Sequence, residues 1–201
     1  MFEFITIREL YEMVLGGSLV EVESLEYVEL QGWIRTNRCS GKLGFIELND
    51  GTYFRNAQLV YDHQLAMFDT IAKYPTGAAV SVTGKLKRTP EGKQPFEIIV
   101  AEMQLEGDCD RDYPLQKKRH SFEYMREIAH LRPRANSFYA IYRLRSILSM
   151  AIHDFFQNQG FVYVHTPIIT GNDGEGAGEM FCATTRSDDH YEEDFFGKQA
   201  F

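Results

Sequence analysis

Two domains of different class are predicted: a mainly-β barrel of five strands, followed by an α+β domain. Three observations predict them. Short apolar runs broken by turn chemistry fill residues 28–107. A long apolar periodicity of helical spacing occupies residues 136–159. The chain has 201 residues, 44% of them apolar, enough to build two cores. The barrel is assigned residues 1–110, a connection residues 111–135, and the second domain residues 136–201.

The barrel elements follow in order. "VELQGWIRT" alternates and breaks at "CSGKLG"; "FIEL" closes on "NDGT"; "NAQLVY" is the third run. A helical stretch, "HQLAMFDTIAKY", stops at Pro75 and Gly77, after which "AVSVTGKLK", the turn "TPEGKQP" and "FEIIVAEMQL" complete the set. Five strands with a helix after the third are the element order of an OB-type barrel. Barrels of this kind bind single-stranded nucleic acid through stacking aromatics and a basic rim, although fold alone assigns no function.

Charge is placed unevenly for a chain of net charge -8. Residues 1–30 carry one Arg against seven Glu, and residues 172–194 carry Arg186 against eight acids. Between them, Arg35, Arg38, Lys42 and Arg55 outnumber Glu47 and Asp50, and residues 85–93 hold four bases against Glu91. The barrel is therefore the basic part, which suits a polyanionic partner.

Side-chain alternation selects one aromatic. In "LGFIEL", Ile46 and Leu48 share one face while Phe45 shares the other with Glu47, making Phe45 a candidate exposed stacking ring. Arg38 and Gln58 flank the same region if the strands pair in sequence order. The alternative is a Phe45 packed beneath a neighbouring loop.

No apolar run reaches membrane-spanning length, and "MFEFITIREL" lacks the layout of an export signal, so a cytoplasmic protein with no membrane partner is expected. Cys39, Cys109 and Cys182 are far apart and unpaired in motif, so neither a disulfide framework nor a metal site is expected.

"GDCDRDYPLQKKRHSFEYMRE" is an acidic turn, a proline and a basic run, read as the connection between domains; a solvated face is the alternative. In "NSFYAIYRLRSILSMAIHDFFQNQG", Phe138, Ile141, Leu144, Leu148, Ile152 and Phe155 line one face of a helix, with Asn136 or Ser137 at its start and Gly160 at its end. "GFVYVHTPIIT" reads as a strand stopped by Pro167. "GNDGEGAGEMF" then admits three readings: a dinucleotide cradle, which its GxGxG spacing and lack of a following helix oppose; a calcium or magnesium loop, whose regular acid spacing is missing; and a flexible lid over a polar ligand, with Glu175 receiving an ammonium group.

The barrel, "YPLQKKRHSFEYMREIAHLRPR", the long helix, "GFVYVHTPIIT", "EGAGEMF" and "DFFGKQAF" together resemble the front part of the asparaginyl-tRNA synthetase family. That family lies in the aspartyl, asparaginyl and lysyl subgroup of the class II synthetases. The resemblance implies an anticodon-binding OB domain followed by the beginning of a class II antiparallel-sheet catalytic domain. It implies that Phe45 stacks on the central anticodon base, that Arg38 and Gln58 read polar groups around it, and that Arg35 is a further basic contact. It implies that Glu175 takes the α-ammonium of the amino acid and that Pro167 lies at a homodimer interface. The implied partner is an asparagine-accepting tRNA, and the implied cofactors are ATP and magnesium. Family members hold ATP with an Arg in each of two later motifs, and neither an "FRAE"-like segment nor a glycine-rich segment ending in Arg follows Phe181. The expectation is that these residues alone hold neither ATP nor magnesium, name no catalytic side chain, and do not adenylate. An RNA-binding module without ligase activity, or an aspartyl relative, are the alternatives.

Overall fold

The computed structural model describes residues 3–16, 27–172 and 181–186. Backbone contacts divide the chain into two compact units, Met1–Arg145 and Ser146–Phe201. In the first unit, β1 (Glu3–Phe4) and α1 (Ile7–Gly16) precede β2 (Tyr27–Ser40), β3 (Leu43–Asn49), β4 (Ala57–Asp62), α2 (Phe68–Ile71), β5 (Ala79–Arg88) and β6 (Phe96–Gly107). A short α3 (Phe122–Glu127) and a 3-10 turn at Arg132–Arg134 lead to α4 (Asn136–Asn158), which runs from the first unit into the second.

Strands β2 to β6 close on themselves. The order is β2-β3-β4-β6-β5, and β5 returns to β2 with Leu30 opposite Val82. All pairings in the ring are antiparallel except β4 with β6, where Leu59 lies opposite Ile98. Closure leaves no free edge among these strands. Alternate residues point inward and build the core, with Leu30, Ile34, Ile46, Leu48, Leu59, Val82, Phe96 and Ile98 no more than 1% exposed. The β2–β3 hairpin turns at Gly41, whose φ of 62° suits glycine.

Helix α1 was not foreseen. Its Ile7, Leu10, Tyr11 and Val14 recur at helical spacing and join the barrel core, so the signal was present but short. Its start is a capping box: the Glu9 carboxylate accepts from the Thr6 N–H at 2.8 Å, and the Glu9 N–H donates to Thr6 Oγ1 at 3.2 Å.

The helical stretch after the third barrel strand contracts to the four residues of α2. Pro75 limits it on the C-terminal side, because proline has no N–H to continue the helical ladder. Ile71 O accepts from the Tyr74 N–H at 3.1 Å and from Asn37 Nδ2 at 2.7 Å, and the same amide reaches Tyr74 O at 3.1 Å.

Residues 111–135, read as a connection, are ordered around a small cluster of their own. Leu115, Met125 and Phe138 are buried together, with Tyr113, Ile128 and Leu131 packed against them. Ser121 caps α3, its hydroxyl accepting from the Tyr124 N–H at 3.2 Å.

Helix α4 ends as its glycine foretold. Gly160 has φ of 85°, its N–H donates to Gln157 O at 2.9 Å, and the Phe161 N–H donates to Phe156 O at 3.1 Å. The Phe156 and Phe161 rings meet edge to face at 5.4 Å, which completes a Schellman cap with its apolar contact. The strand expected next does not form: residues 161–167 make no ladder among the described residues. The β-branched run fits a pleated, half-buried surface, yet propensity yields a strand only where another strand pairs with it. Val162 is instead 83% exposed and Val164 68%.

Candidate nucleic-acid interface

The face of the barrel presented by β2, β3 and β4 carries the expected residues in two cross-strand rows. Arg38 lies opposite Phe45, and Phe45 opposite Val60. In the next row Thr36 lies opposite Glu47, and Glu47 opposite Gln58. Ile46 and Leu59, which alternate with these residues, are both fully buried, so the two rows face outward. Phe45 is half-buried and outside the apolar core, Arg38 is exposed, and Gln58 is half-buried.

These side chains bound a concave surface. Arg38, Ser40, Phe45 and Gln58 line a cleft of about 350 Å³. It adjoins a second of about 470 Å³, in which Arg38 and Gln58 recur with Glu47, Lys93, Gln94 and Glu97. The Gln58 Nε2 donates to Glu97 Oε1 at 2.8 Å, and because a carboxylate only accepts, this bond fixes which end of the amide is which. The Gln58 carbonyl oxygen is left to accept from a ligand. Glu47 accepts from Asn56 Nδ2 at 3.2 Å. A planar ring beside a guanidinium, an amide and two carboxylates can stack a flat base and address the polar atoms on its edge. The sequence reading passed over Glu47 and Glu97 as contributors, because acids run against the expected charge of an RNA-binding face.

Behind Phe45 the backbone is held by a buried phenol. Gly44 lies opposite Tyr61 across β3 and β4, and a Cβ at Gly44 would fall 1.9 Å from Tyr61 Cζ. The Tyr61 hydroxyl donates to Asn37 Oδ1 at 2.9 Å. Burial, with the Cys39 thiol beside it, pushes the Tyr61 phenol up to about 12, so it remains a protonated donor near neutral pH. Asn37 thereby ties together Tyr61, α2 and the strand that carries Arg38.

Arg35 is not part of this groove. Ile34 pairs with Leu48 and Thr36 with Glu47, which leaves Arg35 as the extra residue of a β-bulge. The bulge sends its side chain into a different cleft, of about 990 Å³, also lined by Lys117, Lys118 and Arg119. Alternation counted straight through β2 does not register the inserted residue. A third group, also unforeseen, joins Trp33, with the Arg134 guanidinium 4.8 Å from its ring centre, to Phe54 stacked on Tyr139 at 5.9 Å.

Pro167 is exposed in the second unit, and Glu175 lies outside the described residues. No group of three His, Cys, Asp or Glu among the described residues stands close enough to hold a metal ion. No helix among the described residues is long and apolar enough to cross a membrane.

Comparison with known proteins agrees with this architecture. The family model described as "OB-fold nucleic acid binding domain" matches residues 28–106, and the model "tRNA synthetases class II (D, K and N)" matches residues 121–200. A closed five-stranded OB barrel followed by the start of a class II synthetase domain is thus the class of protein defined here. An asparagine–tRNA ligase of Clostridium novyi (strain NT) is 56% identical over 183 residues, covering 86% of this chain and 40% of the relative. One from Alkaliphilus metalliredigens (strain QYMF) is 47% identical over 205 residues, covering 97% of this chain and 43% of the relative. The crystal structure of asparaginyl-tRNA synthetase from Pyrococcus horikoshii, complexed with asparaginyl-adenylate, superposes with a TM-score of 0.76 at 22% identity. It covers 100% of this chain and 42% of that one, and at that identity it speaks for the fold. The chain belongs to the asparaginyl-tRNA synthetase family and spans about two fifths of the length of the curated relatives it matches.

Proposed function

We propose that this chain supplies the anticodon-recognising part of an ATP-dependent asparagine–tRNA ligase. The observation that carries the reading is the outward pair of rows, Arg38–Phe45–Val60 and Thr36–Glu47–Gln58, on a barrel matched by a nucleic-acid-binding family model. An unpaired anticodon base stacks on Phe45, while Arg38 and Gln58 meet the polar atoms of its edge. Identity of 47–56% to asparagine ligases supports asparagine over aspartate as the amino acid.

In the whole protein the asparagine carboxylate attacks the α-phosphate of ATP, pyrophosphate leaves, and the activated amino acid passes to the terminal ribose of the tRNA. The role of Glu175 toward the substrate ammonium belongs to that reaction. The whole protein is a cytoplasmic homodimer in this reading. Support comes from α4, where Leu144, Ile147, Leu148, Ile152 and Phe155 are each more than half exposed, and from the exposed Val162, Pro167 and Ile168 that follow. An apolar face of that extent suits burial, against the remainder of the longer chain or against a second copy.

The test is a pair of RNA stem-loops, one with the asparagine anticodon and one with its central base changed. Binding is expected to favour the first by about tenfold or more, since a mismatched edge leaves at least one polar group of the groove unpaired, at about 1–3 kcal/mol. Equal binding of the two removes the anticodon reading.

A further inference from the structure

Arg35 has a requirement that the anticodon groove does not meet. Its side chain is half-buried, and the partial desolvation pushes its pKa down, with Arg134 adding repulsion while Tyr113 and Glu47 act in the opposite direction. Among the described residues it makes no hydrogen bond or ion pair. A partly desolvated guanidinium without a hydrogen-bond partner is well served by an anion.

The cleft beside Arg35 is arranged to receive one. Lys117, Lys118 and Arg119 line it, each exposed and, like Arg35, without a side-chain partner among the described residues. Their loop is held in place from both sides, by the buried Leu115 and by Gln116, whose Nε2 donates to Tyr113 O at 2.9 Å while its carbonyl stands 3.1 Å from the His120 ring. Two acids, Glu47 and Glu123, also line the cleft, and each has a neutral hydrogen-bonding neighbour there. Glu47 accepts from Asn56 Nδ2 at 3.2 Å, and the local backbone N–H and the Ser121 hydroxyl hold the Glu123 carboxyl below its ordinary pKa. Four bases thus face two carboxylates, an excess of positive charge, across about 990 Å³, room for a tetrahedral oxyanion with its hydration.

We propose that this cleft, which meets the Phe45 groove at Glu47, is a phosphate-binding site in which Arg35 and the Lys117–Arg119 run clasp one phosphate group. Two sources share that chemistry: a backbone phosphate of RNA already held by the barrel, or a free phosphate. The first source rests on the anticodon reading above, and the second is independent of it.

The experiment uses the purified chain, Arg35→Gln and, at an exposed position that cannot disturb the core, Lys118→Gln. One arm measures affinity for asparagine tRNA across salt concentrations. Each lost phosphate contact lowers the slope of log affinity against log salt by about 0.7–0.9, so both variants are expected to fall by roughly that amount. The other arm titrates inorganic phosphate and follows the backbone amide signals of Lys117–Arg119, expected to shift saturably in the parent and not in Arg35→Gln. A reduced salt slope supports the site with RNA as the source. Amide shifts lost in Arg35→Gln with an unchanged slope support it with free phosphate as the source. If neither the slope nor the amide response differs between parent and both variants, the proposal is overturned. Failure of the anticodon reading is a different result, an unchanged affinity in Phe45→Ala, and it leaves the phosphate-induced shifts as they are.

Discussion

Phe45→Ala weakens binding of the asparagine-tRNA anticodon stem-loop by roughly ten- to a hundredfold, because one base–aromatic stack is worth about 1–3 kcal/mol. The loss appears in the dissociation constant measured by fluorescence anisotropy at fixed salt. It leaves the salt slope where it was, since a benzyl group neutralises no phosphate. The thermal midpoint should move little, because Phe45 stands outside the cluster of buried residues that forms the barrel core. Unchanged affinity in a folded Phe45→Ala removes the ring from the site. Lost affinity together with lost folding would assign Phe45 to the core after all.

The second large effect falls one residue earlier. Gly44→Ala places a methyl 1.9 Å from Tyr61 Cζ and 2.4 Å from both adjacent ring carbons. The ring cannot swing aside cheaply, since Tyr61 is 1% exposed and its hydroxyl is bonded to Asn37. Expelling a buried aromatic costs about 3 kcal/mol or more, so Gly44→Ala should lower the urea midpoint by about 1 M or more. Gly107→Ala is the matched control in the same barrel. Its methyl would meet the Ala79 Cβ at 3.7 Å, an ordinary contact, and stability should barely change. Similar midpoints for the two variants would show that Tyr61 does not brace β3 from beneath.

How much of this was legible in the sequence depended on how local the cause was. The barrel strands were readable because alternation and turn residues are properties of neighbouring positions, as in "LGFIEL" followed by "NDGT". The same alternation placed Phe45 on the opposite face from Ile46, and the end of α4 at Gly160 followed from glycine's tolerance of positive φ. What escaped was set by distant partners. The bulge that turns Arg35 away from Arg38 exists only relative to β3. The contraction of α2 was half visible in Pro75, but the Asn37 amide that takes up the Ile71 carbonyl comes from another strand. Residues 161–167 show the converse, a strand-like composition with no strand beside it among the described residues. The groove itself mixed the two kinds of cause. Arg38, Phe45 and Gln58 could be placed together by assuming sequential pairing, whereas the bond from Gln58 to Glu97 depends on the parallel contact between β4 and β6.

The most direct test of RNA-base recognition by the β2–β3–β4 face is a chemical-shift map of the chain titrated with the asparagine anticodon stem-loop. The largest changes are expected on Arg38, Phe45, Gln58 and Val60, with Ile46 and Leu59 on the inner face moving less. Largest changes on α1 or on the outer face of β5, with the Phe45 ring signals unmoved, would contradict that recognition.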